Sequence, residues 1–254
     1  MLRAKTAKLM KGRAITGEEF DRMRAAVAKV IVEPNKGKAS KREAREPDLA
    51  RIPSWQNLLH GLWTSGLRLS EAIDLHWSDE TKIRVDMSTR HPMFRIPEEC
   101  EKGNEDRILP IAPEFAVWLQ QVPQSQRKGF VFNPLAQNED KRRLTSQTVG
   151  RTIVEIGKKS NVVVDWKAAK PGADDGAPLP VYVSAHDLRR SFGERWSSRI
   201  MPKELMELMR HKSFETTMKF YVGQNADKTA SILWEAYRND GDTLESVNAS
   251  TSSC

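Results

Sequence analysis

Apolar side chains recur at helical spacing along most of this chain, and the pattern breaks between Lys82 and Ile111. There KIRVD, MFRIP and RILPI form short strand-like runs parted by turn residues. Before the break, Phe20, Met23, Val27 and Val30 share one helical face, as do Trp55, Leu58, Leu59 and Leu62. After it come Phe115, Trp118, Leu119 and Val122, then Val149, Ile153 and Ile156. Such a chain is expected to be mainly α with a small antiparallel β-sheet (α+β) on one side.

Local signals set the boundaries. Thr16 and Glu19 have capping-box spacing, and Ile15 is placed to staple against Phe20. Glu33 to Asp48 is charged and aperiodic, an exposed loop. A helix is expected from about Ser54 until Gly66 stops it, and a short one from near Ser70. Lys170 to Pro180 is rich in Pro, Gly and Asp and reads as a loop. Ser184 caps a helix that buries Leu188, Phe192 and Trp196. Pro202 opens another, carrying Leu205, Leu208 and Met209. Ala230, Leu233, Trp234 and Tyr237 form a last amphipathic helix. Residues 1–13 form a basic segment and 239–254 a disordered tail, leaving 14–238 as one folded unit.

Hydrophobic residues make up 39% of the 254, enough for a sizeable core. The net charge of +7 suits a polyanionic partner such as DNA, although many basic proteins bind none. Cys100 and Cys254 make no CxxC or metal-ligand pattern, so a reducing, cytoplasmic setting without a disulfide framework is expected. No apolar run approaches the ~20 residues that span a bilayer.

Four segments carry chemistry. In SGLRLSEAI, Arg68 lies between a helix-ending glycine and a new helix, a rigid place for a phosphate clamp or simply a surface arginine. In EKGNEDRILPI, Lys102 occupies a turn before a strand, as a proton donor or a solvated lysine. In AHDLRRSF, His186 and Arg189 share a helical face near an N-terminus that attracts phosphate, or are an exposed polar pair. In LMRHKSFETTMKFYVG, His211 follows an apolar helix and Tyr221 comes ten residues later, as a nucleophile or a packed aromatic.

Taken in chain order, Arg, Lys, His-x-x-Arg, His and Tyr resemble the tyrosine recombinases of the phage integrase type. The four segments resemble that family's T-G-L-R-x-S-E, G-K-G-x-x-R-x-V-P, H-D-L-R-R-T-F and L-G-H-x-x-x-x-T-T-x-x-Y blocks. RAITGEEFDRM is similar to the start of its catalytic domain, so the resemblance runs from about Arg13 to Tyr237. It implies the family's DNA breaking-rejoining fold and a site-specific recombinase needing neither metal, cofactor nor ATP. Tyr221 would attack a DNA phosphodiester to give a 3′-phosphotyrosine and a free 5′-hydroxyl. Arg68, Arg189 and His211 would hold the phosphate, Lys102 would protonate the leaving oxygen, and His186 would assist proton movement. Glu71 would brace Arg68, or be a plain surface pair. Arg68, Lys102, Arg189, Arg190 and Arg210 would contact double-stranded DNA.

The chain departs from the pattern in three places. Arg210 stands where the family usually has glycine, and only the neighbouring backbone is expected to be affected. Phe220 precedes Tyr221, and the shorter family spacing would put Phe220 at the nucleophile position. The T-T-M-x-x-Y spacing favours Tyr221. The helical domain that precedes the catalytic one in the family is expected to be absent here. The resemblance also implies a homo-tetramer on paired DNA sites, helped by DNA-bending accessory proteins. Asp227 to Tyr237 would then dock on a neighbouring protomer or pack on its own domain. Alternatives are type IB topoisomerase-like relaxation and a catalytically silent DNA-binding protein.

Overall fold

The computed structural model describes residues 12–31, 46–100, 106–136, 143–168, 177–221, 234, 235 and 237. Helix α1 (Gly17–Ile31) starts as its sequence dictates. The Thr16 amide donates to Glu19 Oε2 at 3.0 Å, and the Glu19 amide donates to Thr16 Oγ1 at 3.2 Å. Ile15 and Phe20 are both buried in the main core, as a staple requires.

Helix α2 runs Glu46–Ser65, eight residues earlier than the expected start at Ser54, with Pro53 inside it. Proline lacks the N–H for an intrahelical bond, but neighbouring tertiary contacts hold the turn. Ser54 Oγ accepts from the Leu135 amide at 3.1 Å, and the Trp55 indole N–H donates to the Leu135 carbonyl at 3.0 Å. Of the expected 33–48 loop, residues 46–48 are thus helical and 33–45 lie outside the described residues.

Gly66 ends the region and turns the chain into α3 (Leu69–Asp74). Its φ is +66°, and an added Cβ would lie 2.5 Å from the Phe192 ring.

The three expected strand runs form one antiparallel sheet, β1 (Arg84–Asp86), β2 (Met93–Ile96) and β3 (Arg107–Pro110), in that order. Val85 faces Phe94 and Phe94 faces Leu109, giving one buried row across the sheet. This row packs over α4 (Pro113–Gln121), with the Phe94 and Phe115 rings 6.1 Å apart.

Helix α5 (Ser146–Lys159) is followed by a second sheet, which the sequence reading left out. Strands β4 (Val163–Lys167) and β5 (Leu179–Tyr182) pair antiparallel, so Leu179 and Pro180 belong to a strand and not to the expected loop. Proline fits because each strand of a two-stranded ribbon is an edge.

The last elements are α6 (Ala185–Ser197), α7 (Pro202–Leu208) and α8 (Phe214–Met218). Leu188 of α6 enters the main core, while Phe192 joins a smaller cluster with Leu205, Met209 and Phe220. Helix α6 therefore couples α7 and α8 to the rest of the fold. Of the expected last helix, Trp234, Glu235 and Tyr237 are described and helical, and both aromatics are exposed. Among the described residues no helix is long and apolar enough to cross a membrane.

Gly66→Ala combines a left-handed backbone with a clash into a buried ring. It is expected to destabilise the protein by roughly 2–4 kcal/mol. A urea midpoint equal to wild type would show that the junction relaxes freely.

Candidate active site

The site is built where the α2–α3 junction, the start of α6 and the end of α7 meet. Asp187 closes the N-terminus of α6: its Oδ2 accepts from the Ser184 amide at 2.9 Å and the Ser184 hydroxyl at 2.6 Å. Its Oδ1 accepts from Arg190 Nη1. Arg190 is thereby buried at 7% exposure in an internal ion pair, beside Gly12. This side chain, expected at the DNA, is spent within the fold, because it points a helical step away from Arg189.

Arg189 is also buried, and its two terminal nitrogens donate to the carbonyls of Gly66 and Met209. Burial and then the neighbouring Arg68 charge push its pKa down to about 9, which leaves it cationic at neutral pH. Arg68 is half-exposed. Its Nη1 donates to Glu71 Oε1 at 2.7 Å and its Nη2 to the Arg210 carbonyl at 3.4 Å. Glu71 thus pairs with Arg68 and also with Arg210. Burial alone would raise the Glu71 carboxyl, but the Arg210 and Arg68 charges outweigh it and hold the value below the usual range.

Helix α7 ends in a Schellman motif. The Arg210 amide donates to the Glu207 carbonyl and the His211 amide to the Met206 carbonyl, each at 3.0 Å. Arg210 takes the left-handed position of that motif, with φ +51°. The turn delivers His211 beside the two arginines. His211 Nδ1 lies 2.8 Å from Thr217 Oγ1, and Thr217 is fully buried. With Thr217 donating, His211 carries its proton on Nε2 and presents a donor there. Burial, then Arg189 and Arg68, lower the His211 pKa to about 4, so the ring is neutral at pH 7. His186 is exposed, and burial of part of its ring together with Arg190 lowers its pKa as well.

Arg68, Glu71, His186, Arg189, Arg210 and His211 thus form one electrostatic group. Arg68, Glu71, Arg210 and His211 line a cavity of about 1070 Å³, with Arg107 and Lys203 on its wall. Lys102 lies outside the described residues, but its flanks Cys100 and Arg107 border this cavity.

Tyr221 is not in the group. Its hydroxyl donates to the Ile200 carbonyl at 2.8 Å, and its ring rests on the smaller cluster. Burial and the Glu204 charge raise its pKa. Phe220, buried at 6% exposure, stacks on His211 with ring centroids 5.9 Å apart. The carbonyls of Gly66 and Met209, together with Asp187 and Thr217, are parts of the site that sequence reasoning missed. The S-x-x-D spacing of Ser184 and Asp187 and the Thr-Thr pair after His211 are the sequence signals for two of them.

The model of the phage integrase family matches residues 49–228, well over half of the chain. The chain belongs to the phage integrase family. Two curated relatives are the tyrosine recombinases XerC of Chlamydia caviae, 26% identical over 178 residues, and of Chlamydia muridarum, 26% over 183. Each alignment covers 67% of this chain and 48% of the relative, so the chain spans about half the length of the curated relatives it matches. Among solved structures, the Tn1549 transposon integrase in complex with transposon right end DNA superposes with a TM-score of 0.51. It is 15% identical, over 91% of this chain and 67% of that one. The XerH site-specific recombinase bound to a palindromic difH substrate gives 0.50, at 16% identity over 91% and 56%. At these identities the likeness shows the fold, a tyrosine recombinase catalytic domain.

His211 is expected to titrate near pH 4 in the free protein. Because the unfolded chain takes up that proton first, its contribution to stability is present above about pH 6.5 and lost as pH falls towards 4. Sulfate in the cavity should move the titration upwards. NMR of the histidine rings with and without sulfate measures both values, and a midpoint near 6.5 in each would contradict the site electrostatics.

Proposed function

We propose that residues 14–238 form the catalytic part of a site-specific recombinase that cleaves and rejoins DNA through a 3′-phosphotyrosine. The observation that carries this reading is the meeting of Arg68 and His211 on one cavity, with the buried Arg189 charge beside both. Two arginine forks and a neutral imidazole donor suit the non-bridging oxygens of a phosphodiester and the charge that builds on them during in-line attack. The fork geometry makes lysine a poor replacement for either arginine.

Tyr221 is the nucleophile in this reading. Free tyrosine has a pKa of about 10, so ionising it at pH 7 costs roughly 4 kcal/mol unless cations help. At Ile200 the hydroxyl has no such help, since its surroundings raise its pKa. Cleavage therefore requires the chain after Met218 to turn and carry the hydroxyl to the arginines. Lys102 would protonate the departing 5′ oxygen and His186 would assist the proton's movement. The ester retains the bond energy, so a second 5′-hydroxyl reverses the step without ATP.

The partner is double-stranded DNA in the cytoplasm, recombined by a tetramer on paired sites with help from DNA-bending proteins. Exposure of Trp234 at 66% and Tyr237 at 70% supports docking of the last helix on a neighbouring protomer. Phosphate contacts through Arg68, Lys102 and Arg189 make binding fall steeply with salt.

One observation favours a second reading, a silent DNA-binding protein: Phe220, not Tyr221, stacks on His211. Trapping on nicked duplexes of randomised sequence, with mass spectrometry of the adduct, separates the two. Wild type should be captured at Tyr221, and Tyr221→Phe should lose the adduct while binding DNA within about twofold. Salt-sensitive binding without any adduct, together with capture of Phe220→Tyr at position 220, would establish the silent reading.

A further inference from the structure

We propose that Arg210 is a positioning residue of the phosphate site: by pairing with Glu71, it keeps that carboxylate aligned on Arg68. The proposal rests on the reading of the cavity as a phosphate site.

The backbone supplies the first argument. Among the described residues, Arg210 and Asn161 alone combine a side chain with a positive φ. Asparagine tolerates this region, whereas arginine is strained there, and the Schellman position favours glycine. Glycine would form the same helix end without strain. The guanidinium is thus the group that distinguishes arginine from the better local choice.

That guanidinium does not extend into solvent. Its side chain is 5% exposed and meets Glu71 Oε2, the oxygen that also accepts from the Arg68 amide at 2.7 Å. The other oxygen, Oε1, holds Arg68 Nη1. One carboxylate is gripped by two arginines, and Arg68 is caught between that carboxylate and the Arg210 carbonyl. The backbone of Arg210 thus sets one side of Arg68 and its side chain sets the other.

The charge argument points the same way. With Arg68, Arg189 and Arg210 against Glu71, the group carries two net positive charges. Without Arg210, Glu71 would neutralise half of the remaining pair and hold Arg68 more tightly against a phosphate. Arg210 offsets that competition while remaining internal, so it acts through Glu71 and does not touch the reacting atoms.

The test compares wild type with Arg210→Gly and Arg210→Lys. If Arg210 merely closes the helix, glycine should match or exceed wild type in every measurement. Under the proposal, Arg210→Gly keeps its melting temperature but its Glu71 carboxyl, followed by NMR on carbon-13-labelled glutamate, titrates at a higher pH. Its affinity for a nicked duplex falls about tenfold, and Arg210→Lys recovers part of both. An unmoved Glu71 titration with wild-type affinity in Arg210→Gly would overturn the proposal. Both quantities are read without strand cleavage, so they stand apart from the test of the recombinase reaction. If wild type cleaves, the acid limb of its pH–rate profile should also shift upwards in Arg210→Gly and back in Arg210→Lys.

Discussion

Everything at the site depends on a cation held inside the protein by backbone carbonyls. Arg189 is 4% exposed, and its fork is oriented by the Gly66 and Met209 carbonyls. Burying a charge is costly, and carbonyl dipoles offset only part of it because they carry no net charge. The remaining deficit is an appetite for an anion. The same two contacts tie the α2–α3 junction to the end of α7 through α6, so core packing and anion affinity are not separable. Gly66 shows the coupling: its positive φ aims a carbonyl at Arg189 while its missing Cβ admits the Phe192 ring.

The second arginine is held differently. Arg68 is half-exposed and bound to Glu71, an acceptor with a full charge. In the proposed reading a phosphodiester must compete with that carboxylate, whereas at Arg189 it competes only with carbonyls. Arg189 is therefore the fixed donor of the pair and Arg68 the adjustable one. His211 completes the set as a neutral donor because both arginines suppress its protonation. A protonated His211 would add attraction for an anion but also repulsion from the arginines around it.

Much of this was legible in the sequence where one residue type has one physical use. The Thr16–Glu19 cap, the three antiparallel strands between Lys82 and Ile111 and the meeting of Arg68, His186, Arg189 and His211 all follow from local pattern plus resemblance. The rest was hidden for specific reasons. Carbonyl ligands such as those of Gly66 and Met209 leave no mark on side-chain identity. Arg190 looked like a second DNA contact, yet one residue along a helix is a turn of about 100°, which sends it to Asp187. The helix start before Pro53 depends on contacts from residue 135, which no local window contains. Arg210 was read as a change of backbone and as a DNA contact, and its side chain shares Glu71 with Arg68.

The same angular arithmetic governs Phe220 and Tyr221. Adjacent residues in a helical turn face different ways, so with Phe220 over His211 the Tyr221 ring is directed towards Ile200. The bond holding it there is one neutral hydrogen bond, with a net value of about 1 kcal/mol, plus partial burial of a ring. Phe220 is the firmer anchor, because it fills the cluster beneath α7 against Gly193 and Met209. Moving Tyr221 to the arginines while Phe220 stays requires a change in backbone dihedrals between the two residues. Moving both empties the cluster and costs the several kcal/mol of a lost core phenylalanine. The cheaper path keeps Phe220 as a pivot, and along it the electrostatics reverse sign: burial and Glu204 oppose ionisation at the start, whereas Arg68 and Arg189 favour it at the end. If Tyr221 is the nucleophile proposed above, a hydroxyl that becomes acidic only on reaching the phosphate cannot attack anything on the way.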